Sequence, residues 1–353
     1  RLDWTAAGEG LSGRTRWVPS GLVAGISPFN FPLNLAVHKL APAIACGAPI
    51  VLKPASSTPL ATLMLAELFQ EVGGLPQGAV SILPASREAG NLLVTHPQIA
   101  TLSFTGSDKV GWKLKQAAGK KKSIMELGGN AALIISEHAP PIHDFIGQLT
   151  KGCFAYAGQI CIHTQRIFVH HSRFDETAEA LVREAKNLNV GPPESPNTNF
   201  SCMIDASNAK RVSDWIQEAI NQGAKALLHG KQKGTLHEPT ILTQTKAQMS
   251  VRAEELFGPA VCIEPYHDFQ EALQLVNEGR YGLQAGLFTS RDSEIQEAFQ
   301  NLDVGGLLIN RTPTLRLDHM PYGGVKDSGL GREGVRYAMK DYCEPRLLVH
   351  PGW

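Results

Sequence analysis

Short β-rich apolar runs alternate with stretches of helical periodicity through the first half of the chain. Val23–Ile26, Pro49–Lys53, Val80–Leu83 and Thr101–Phe104 read as strands, each bounded by Gly, Pro or Ser. Between them, Leu33–Cys46 and Pro59–Val72 place apolar residues at helical spacing. The second opens on a proline, which a first helical turn tolerates. Asp108–Ala118, after Thr105-Gly-Ser, reads as a further helix. Such alternation implies right-handed crossovers and a parallel, doubly wound sheet, with ligands bound beyond the carboxyl ends of its strands. The alternation resumes from about Gly129, with helices expected over Phe174–Leu188 and Ser207–Gln222 and a polar, proline-rich connection at Gly191–Asn199. The fold class is therefore α/β.

Length and composition narrow the picture. The 353 residues exceed what one core usually serves, so two domains are expected. Lys plus Arg and Asp plus Glu both number 33, and the zero net charge supplies no broad field for nucleic acid or an anionic membrane. No apolar run approaches membrane-spanning length. The sequence opens at Arg1 with neither an initiator Met nor a signal-peptide pattern, and is read as starting mid-protein. Six scattered cysteines without a C-x-x-C pair fit a reducing, cytoplasmic setting rather than a disulfide framework or zinc site, and no metal is expected. Asn199-Phe-Ser and Asn310-Arg-Thr match the glycosylation sequon by letters alone.

One motif is set aside. Gly8-Glu-Gly-Leu-Ser-Gly13 spells G-x-G-x-x-G but neither follows a strand nor opens a helix, so it lacks the context that gives a dinucleotide fingerprint its mechanism. A turn between strands is the better reading.

Three other segments carry candidate chemistry. In Gly158-Gln-Ile-Cys161, a lone cysteine is ordinarily a buried, inert small hydrophobe, and that reading holds for the other five. Cys161, however, follows Glu126 of Met125-Glu-Leu-Gly-Gly-Asn130, a carboxylate that ends a β-rich run before paired glycines. A thiol with a carboxylate base is the minimal equipment for covalent catalysis through a thioester, although a strand-end glutamate also serves as a plain loop charge. Asn30, in Ile26-Ser-Pro-Phe-Asn-Phe-Pro32, lies between a strand and a helix, where an amide suits either an oxyanion donor or a turn.

Together these segments resemble the aldehyde dehydrogenase superfamily, from about Arg1 to Val349. Val51-Leu-Lys-Pro-Ala55, Phe104-Thr-Gly-Ser107, Glu254-Glu-Leu-Phe-Gly-Pro259, Pro321-Tyr-Gly-Gly324 and Ser328-Gly-Leu-Gly-Arg-Glu-Gly334 agree in order and spacing. The resemblance implies two doubly wound parallel-sheet domains with a small β oligomerisation extension. It divides the chain into a strand segment over 1–19, an NAD(P)-binding domain over 20–128, a catalytic domain over 129–326 and a returning segment over 327–353. It implies oxidation of an aldehyde to the acid with NAD or NADP: Cys161 as nucleophile, Asn30 and the Cys161 N–H for the oxyanion, Glu126 activating water. Lys53 and Ser56 would meet the adenosine ribose, Ser107 the pyrophosphate, Glu255 the nicotinamide ribose and Phe257 the ring. Gly106, Val110 and Leu127 would line the cleft. A homodimer or homotetramer is implied, without nucleic-acid or membrane partners.

The sequence also departs from the family's common pattern. Ser56 stands where NAD-preferring members carry a ribose-binding glutamate, so NADP should be accepted; Ser86 stands where many have a glycine near the phosphates. The run Pro313–Lys326 looks like the lactaldehyde and non-phosphorylating glyceraldehyde-phosphate branch, with Arg311 and Arg316 as candidate contacts for an anionic substrate or as surface arginines. Complete members carry a segment ahead of the position of Arg1, without which a sheet edge and apolar surface are expected to be uncovered. The rival reading is a catalytically silent member kept as a structural or binding protein; Cys161, Glu126 and Asn30 together favour the enzyme.

Overall fold

The computed structural model describes Leu2 and residues 4–352; Arg1, Asp3 and Trp353, which belong to the expected 1–19 and 327–353 segments, lie outside the described residues. The chain forms two compact units. The first comprises Arg1–Glu126, Asp318–Pro321 and Leu330–Trp353, and the second Leu127–Leu317 and Tyr322–Gly329.

The first unit begins with a turn at Gly10 (φ 72°) that leads into strand β1, Leu11–Pro19. A single 3-10 turn, Ala6–Gly8, precedes it, so the rejected glycine motif joins a 3-10 turn to a strand rather than two strands. β1 pairs antiparallel with Cys343–Pro351 along its whole length. This ribbon leaves Leu11, Trp17, Leu347, Leu348 and Val349 exposed.

Then follow β2 (Leu22–Ile26), α1 (Asn34–Cys46), β3 (Ile50–Lys53), α2 (Leu60–Val72), β4 (Val80–Ile82), α3 (Arg87–Thr95), β5 (Ile99–Thr105), α4 (Asp108–Ala118) and β6 (Lys122–Glu126). The strands lie side by side in the order β6-β5-β2-β3-β4, all parallel. The chain winds outward from β2 to β4, then crosses back to β5. The topological switch point therefore falls between β2 and β5, where α/β sheets bind ligands. Val23, Ile50, Leu52, Leu40 and Ile124 fill the core against this sheet, each such side chain contributing roughly 1.5–3 kcal/mol by leaving water.

Helix α3 was not expected from the sequence. It is short and holds Gly90 in its interior, so propensity gives weak warning of it. Gly90 is there for space: a Cβ would come within 3.2 Å of the Lys53 side chain.

The second unit contains β7 (Ala131–Ile135), α5 (Ile142–Phe154) and β8 (Thr164–His170). Its seven-stranded sheet runs Gly306–Ile309, Gln284–Phe288, β7, β8, Ala260–Tyr266, Thr240–Thr243, Lys225–Leu228. All neighbours are parallel except the last pair. The parallel sheet expected is thus present, with one antiparallel strand, Lys225–Leu228, at its edge. The two long helices form as Phe174–Lys186 and Ala206–Asn221, the second capped by Asp205 accepting from the Asn208 N–H. Buried Leu149, Ile167, Ile216, Ile241 and Ile263 pack one face of the sheet, and Ile134, Phe168 and Leu287 the other.

Candidate active site

In the first unit the expected site residues gather at the carboxyl ends of the parallel strands. Asn30 sits in the loop leaving β2 and is buried to 4% exposure. That loop is pinned from the sequence that follows β3: the Thr58 hydroxyl donates to the Phe29 carbonyl at 3.2 Å and the Thr62 hydroxyl to the Pro32 carbonyl at 3.1 Å. Lys53 ends β3, buried, and Ser56 lies exposed in the turn just beyond. Burial, and secondarily the positive charge of Arg87, lower the Lys53 pKa from its ordinary value. Arg87 thus bears electrostatically on Lys53, a relationship the sequence alone did not suggest.

At the end of β5, Gly106 donates its backbone N–H to the Glu126 carbonyl at 3.0 Å. A Cβ on Gly106 would strike the Phe104 ring at 2.6 Å, so the loop needs glycine. Ser107 is the N-cap residue of α4 by backbone geometry, but its side chain makes no capping bond. Asp108 follows, buried, and Val110 is exposed. Glu126 ends β6 and is buried to 3% exposure. Ser86 is the N-cap of α3, accepting from the Ala89 N–H at 3.3 Å, which gives it a structural task at the position where glycine is common.

Sequence reading also missed Lys39 of α1. Its side chain is fully buried, and Nζ lies 2.6 Å from the Thr105 hydroxyl and 3.2 Å from a Glu333 carboxylate oxygen. A buried pair of this kind leaves an uncompensated charge if either partner is removed. Its signal is invisible in the sequence because 294 positions separate the two residues.

In the second unit the site residues lie instead at the amino ends of strands. Leu127, buried, donates its N–H to the Ser328 carbonyl at 3.0 Å just ahead of β7. Gly129 gives its N–H to a Glu255 carboxylate oxygen at 2.9 Å. A Cβ on Gly129 would fall 2.0 Å from the Cys161 carbonyl oxygen, and one on Gly128 2.7 Å from the Glu255 carboxylate. The paired glycines therefore let this segment press against the backbone of Cys161.

Cys161 follows an irregular stretch. Tyr156 (φ 56°), Ala157 (φ 53°) and Gly158 (φ 67°) are all left-handed, and Gly158 abuts the Gly258 carbonyl so closely that a Cβ would lie 2.0 Å from it. Phe257 is also left-handed, at φ 46°. Non-glycine residues in this region cost of order 1–3 kcal/mol each and cluster at functional sites. Cys161 itself is half-buried, with Sγ 2.8 Å from the Tyr322 hydroxyl. The Arg316 guanidinium lies 3.8 Å from the Tyr322 ring centroid. Arg311 is exposed and turned to the neighbouring Asn310 carbonyl.

The remaining cysteines divide. Cys153 and Cys262 are buried, and burial raises both thiols, Cys262 to about 12. Cys202 is exposed and Cys46 half-buried, so the expectation that all five would be buried is corrected for these two. Tyr322 was not anticipated as part of the site: it neighbours Cys161 only because the chain returns 161 residues later.

The site can be set beside known proteins. The profile of the Aldehyde dehydrogenase family matches residues 4–348. The 3-sulfolactaldehyde dehydrogenase of Priestia aryabhattai is 42% identical over 333 residues, covering 94% of this chain and 69% of that protein. Aldehyde dehydrogenase 21 from Physcomitrella patens, solved in complex with the reaction product succinate, superposes with a TM-score of 0.97 at 45% identity, over 99% of this chain and 73% of that one. Glyceraldehyde-3-phosphate dehydrogenase GapN from Methanocaldococcus jannaschii, complexed with NADP, superposes at 0.93 with 38% identity, over 97% and 75%. On the strength of a match running almost end to end, the chain belongs to the aldehyde dehydrogenase family.

Proposed function

We propose that this chain oxidises an aldehyde bearing a negatively charged group to its carboxylic acid, with NADP accepted at least as well as NAD and Cys161 as nucleophile. Oxidation of an aldehyde with a nicotinamide cofactor is the family's activity. The silent alternative has no observation in its favour. The substrate's charge is the finer step, and one observation carries it. Arg316 holds a cation over Tyr322, whose hydroxyl touches the Cys161 sulfur, so an anionic group on the aldehyde has a partner near the nucleophile. Arg311 is spent on a neighbouring carbonyl and is the weaker candidate. Sulfolactaldehyde, succinate and glyceraldehyde 3-phosphate, named for the similar proteins, all carry such a group.

In the proposed reaction the Cys161 thiolate attacks the carbonyl carbon; the S–C bond forms and the π pair moves to oxygen. The oxyanion is held by the Cys161 N–H and the Asn30 amide. Bound NAD(P) supplies the hydride acceptor that takes the adduct to the thioester. Glu126 then accepts a proton from water as it attacks, and the thiolate leaves with the electron pair of the broken S–C bond.

The first unit's residues fit the cofactor's phosphates. Lys53, on which the charge of Arg87 bears, puts positive charge three residues from Ser56, which has no carboxylate to repel a 2′-phosphate. Ser107 leaves the α4 N-terminus without a side-chain cap, the arrangement that accepts phosphate. Gly106, Val110 and Leu127 are proposed to line the cleft, Glu255 to meet the nicotinamide ribose and Phe257 the ring. The exposed apolar ribbon of β1 and Cys343–Pro351 suits pairing with a second copy, so a homo-oligomer is proposed, in the reducing cytoplasm that a reactive thiol favours.

The test compares succinic semialdehyde and 3-sulfolactaldehyde with butanal in wild type and Arg316→Met. A loss of tenfold or more in kcat/KM for the anionic aldehydes is expected, with a much smaller loss for butanal. Equal losses for all three would remove the charge argument.

A further inference from the structure

Cys161 lies in the connection between α5 and β8 rather than in the first turn of a helix. The partial positive charge of a helix N-terminus, a common means of holding a thiolate, is therefore not what this position offers. What it offers is Tyr322. The phenolic oxygen is 2.8 Å from Sγ, and the ring is buried to 4% exposure among Ile162 and Leu283. The Arg316 guanidinium sits 3.8 Å from the ring centroid on its face.

We propose that Tyr322 is a catalytic residue whose hydroxyl donates a hydrogen bond to the Cys161 thiolate, strengthened as a donor by Arg316 against its ring. The assignment rests on Cys161 being the nucleophile. A hydroxyl donating to an anion makes one of the stronger hydrogen bonds available. A cation over the ring favours electron withdrawal from the phenol, and so a more polar O–H. Two ionisable groups lie in neighbouring segments of this unit. The Glu255 carboxylate accepts from the Gly129 N–H, and His163 turns its ring to the Cys153 carbonyl, its pKa pushed down to about 4 by burial.

The hydroxyl serves both halves of the reaction. Before attack it holds the sulfur as the anion; as the S–C bond forms, the sulfur's negative charge passes to the aldehyde oxygen and the hydrogen bond weakens. When the thioester is hydrolysed, the S–C bond breaks, the electron pair returns to sulfur, and the same O–H receives the leaving thiolate. Tyrosine stays protonated throughout, so no further acid or oxidant is needed.

Stabilising a thiolate also blunts it. A hydrogen bond to a charged group corresponds to about one to two pH units of ionisation. Thiol nucleophilicity falls with a Brønsted slope of about 0.4–0.5, so each unit gives roughly tenfold more thiolate but roughly threefold less reactivity per thiolate. The net gain is about threefold per unit below the ionisation midpoint, reversing to a loss above it.

That reversal is the test. The alkylation rate of Cys161 by iodoacetamide is followed from pH 5 to 10 in the full chain, by mass spectrometry of the Cys161 peptide, without substrate. In Tyr322→Phe the midpoint should rise by about one to two units, with alkylation about three- to tenfold slower near neutrality and correspondingly faster at the alkaline end. The variant keeps the ring, and Arg316→Met should give a smaller upward shift with the hydroxyl intact. An unchanged midpoint in Tyr322→Phe overturns the proposal, as does a shift in Arg316→Met that equals or exceeds it, which would mean the guanidinium acts on the sulfur without the phenol. Cys161→Ser separates the two readings: if it abolishes turnover while Tyr322→Phe alkylates like wild type, the nucleophile stands and the tyrosine's role falls.

Discussion

The carboxyl-end edge of the first unit and the segment around Cys161 in the second are built on opposite principles. The first follows the topology rule: Asn30, Lys53, Ser56 and Ser107 stand at the carboxyl ends of parallel strands around a switch point, with Ser56 and Ser107 facing solvent and Asn30 and Lys53 buried. The second violates it, for Cys161, Gly129 and Glu255 precede their strands. There the geometry comes from backbone pressed on backbone, with Gly129 against Cys161 and Gly158 against Gly258. The exposed positions of that edge, Ser56 and Ser107, can be substituted singly at little structural cost. A cysteine seated by close-packed main chain cannot be altered piecemeal. Cofactor choice should therefore be the adjustable property and the chemistry the fixed one.

The largest expected effect breaks the second region. Gly129→Ala places a methyl 2.0 Å from the Cys161 carbonyl oxygen, and neither partner is the end of a flexible side chain. Turnover should fall by more than roughly 10³, the scale at which loss of several aligned groups is felt, with destabilisation of about 3 kcal/mol or more. Gly147→Ala, where a Cβ meets nothing within 4 Å inside α5, is the matched control. It should keep full activity and gain about 0.5–1 kcal/mol. Thermal melts and steady-state rates on both variants decide the matter; an active, stable Gly129→Ala would contradict the close-packing account.

Next in size, Asn30→Ala should slow turnover by roughly 10²–10³, the usual cost of one oxyanion donor. Because Asn30 is held by a loop tied to Thr58 and Thr62, the melting temperature should change little. A variant that melts early but turns over normally would leave Asn30 as a turn residue.

Much of this was legible in the sequence. The strands of the first sheet follow from local pattern, since burial on both faces writes continuous apolar runs, and the helices Asp108–Ala118 and Phe174–Lys186 from apolar residues at helical spacing; Cys161, Glu126 and Asn30 were singled out by motif context, and their roles are proposed. Pairings across long chain separations were hidden. Tyr322 against Cys161, Lys39 against Glu333 and Arg87 bearing on Lys53 are brought together by the fold. Helix α3 escaped notice because Gly90, needed beside Lys53, lowers its propensity.

The smallest effects sharpen the first region. Ser56→Glu should shift the NADP-to-NAD ratio of kcat/KM towards NAD by about tenfold, through repulsion of a 2′-phosphate. The wild-type ratio carries a pH signature of its own. With its pKa lowered by burial and by Arg87, Lys53 loses charge earlier as pH rises. Preference for NADP should therefore weaken on the alkaline side before the ordinary lysine range is reached. A ratio independent of both the substitution and pH would show that this edge does not read the 2′-phosphate.

The central claim, that Cys161 carries the substrate as a thioester which Glu126 helps to hydrolyse, is tested most directly by trapping. Glu126→Gln is mixed with saturating NADP and succinic semialdehyde, quenched in acid within seconds, and its intact and peptide masses are read. The account predicts one acyl group per chain on the peptide containing Cys161, accumulating with a burst of reduced cofactor and then a stalled steady state. A burst without an acyl group on that peptide, or an acyl group on any other cysteine, would contradict it.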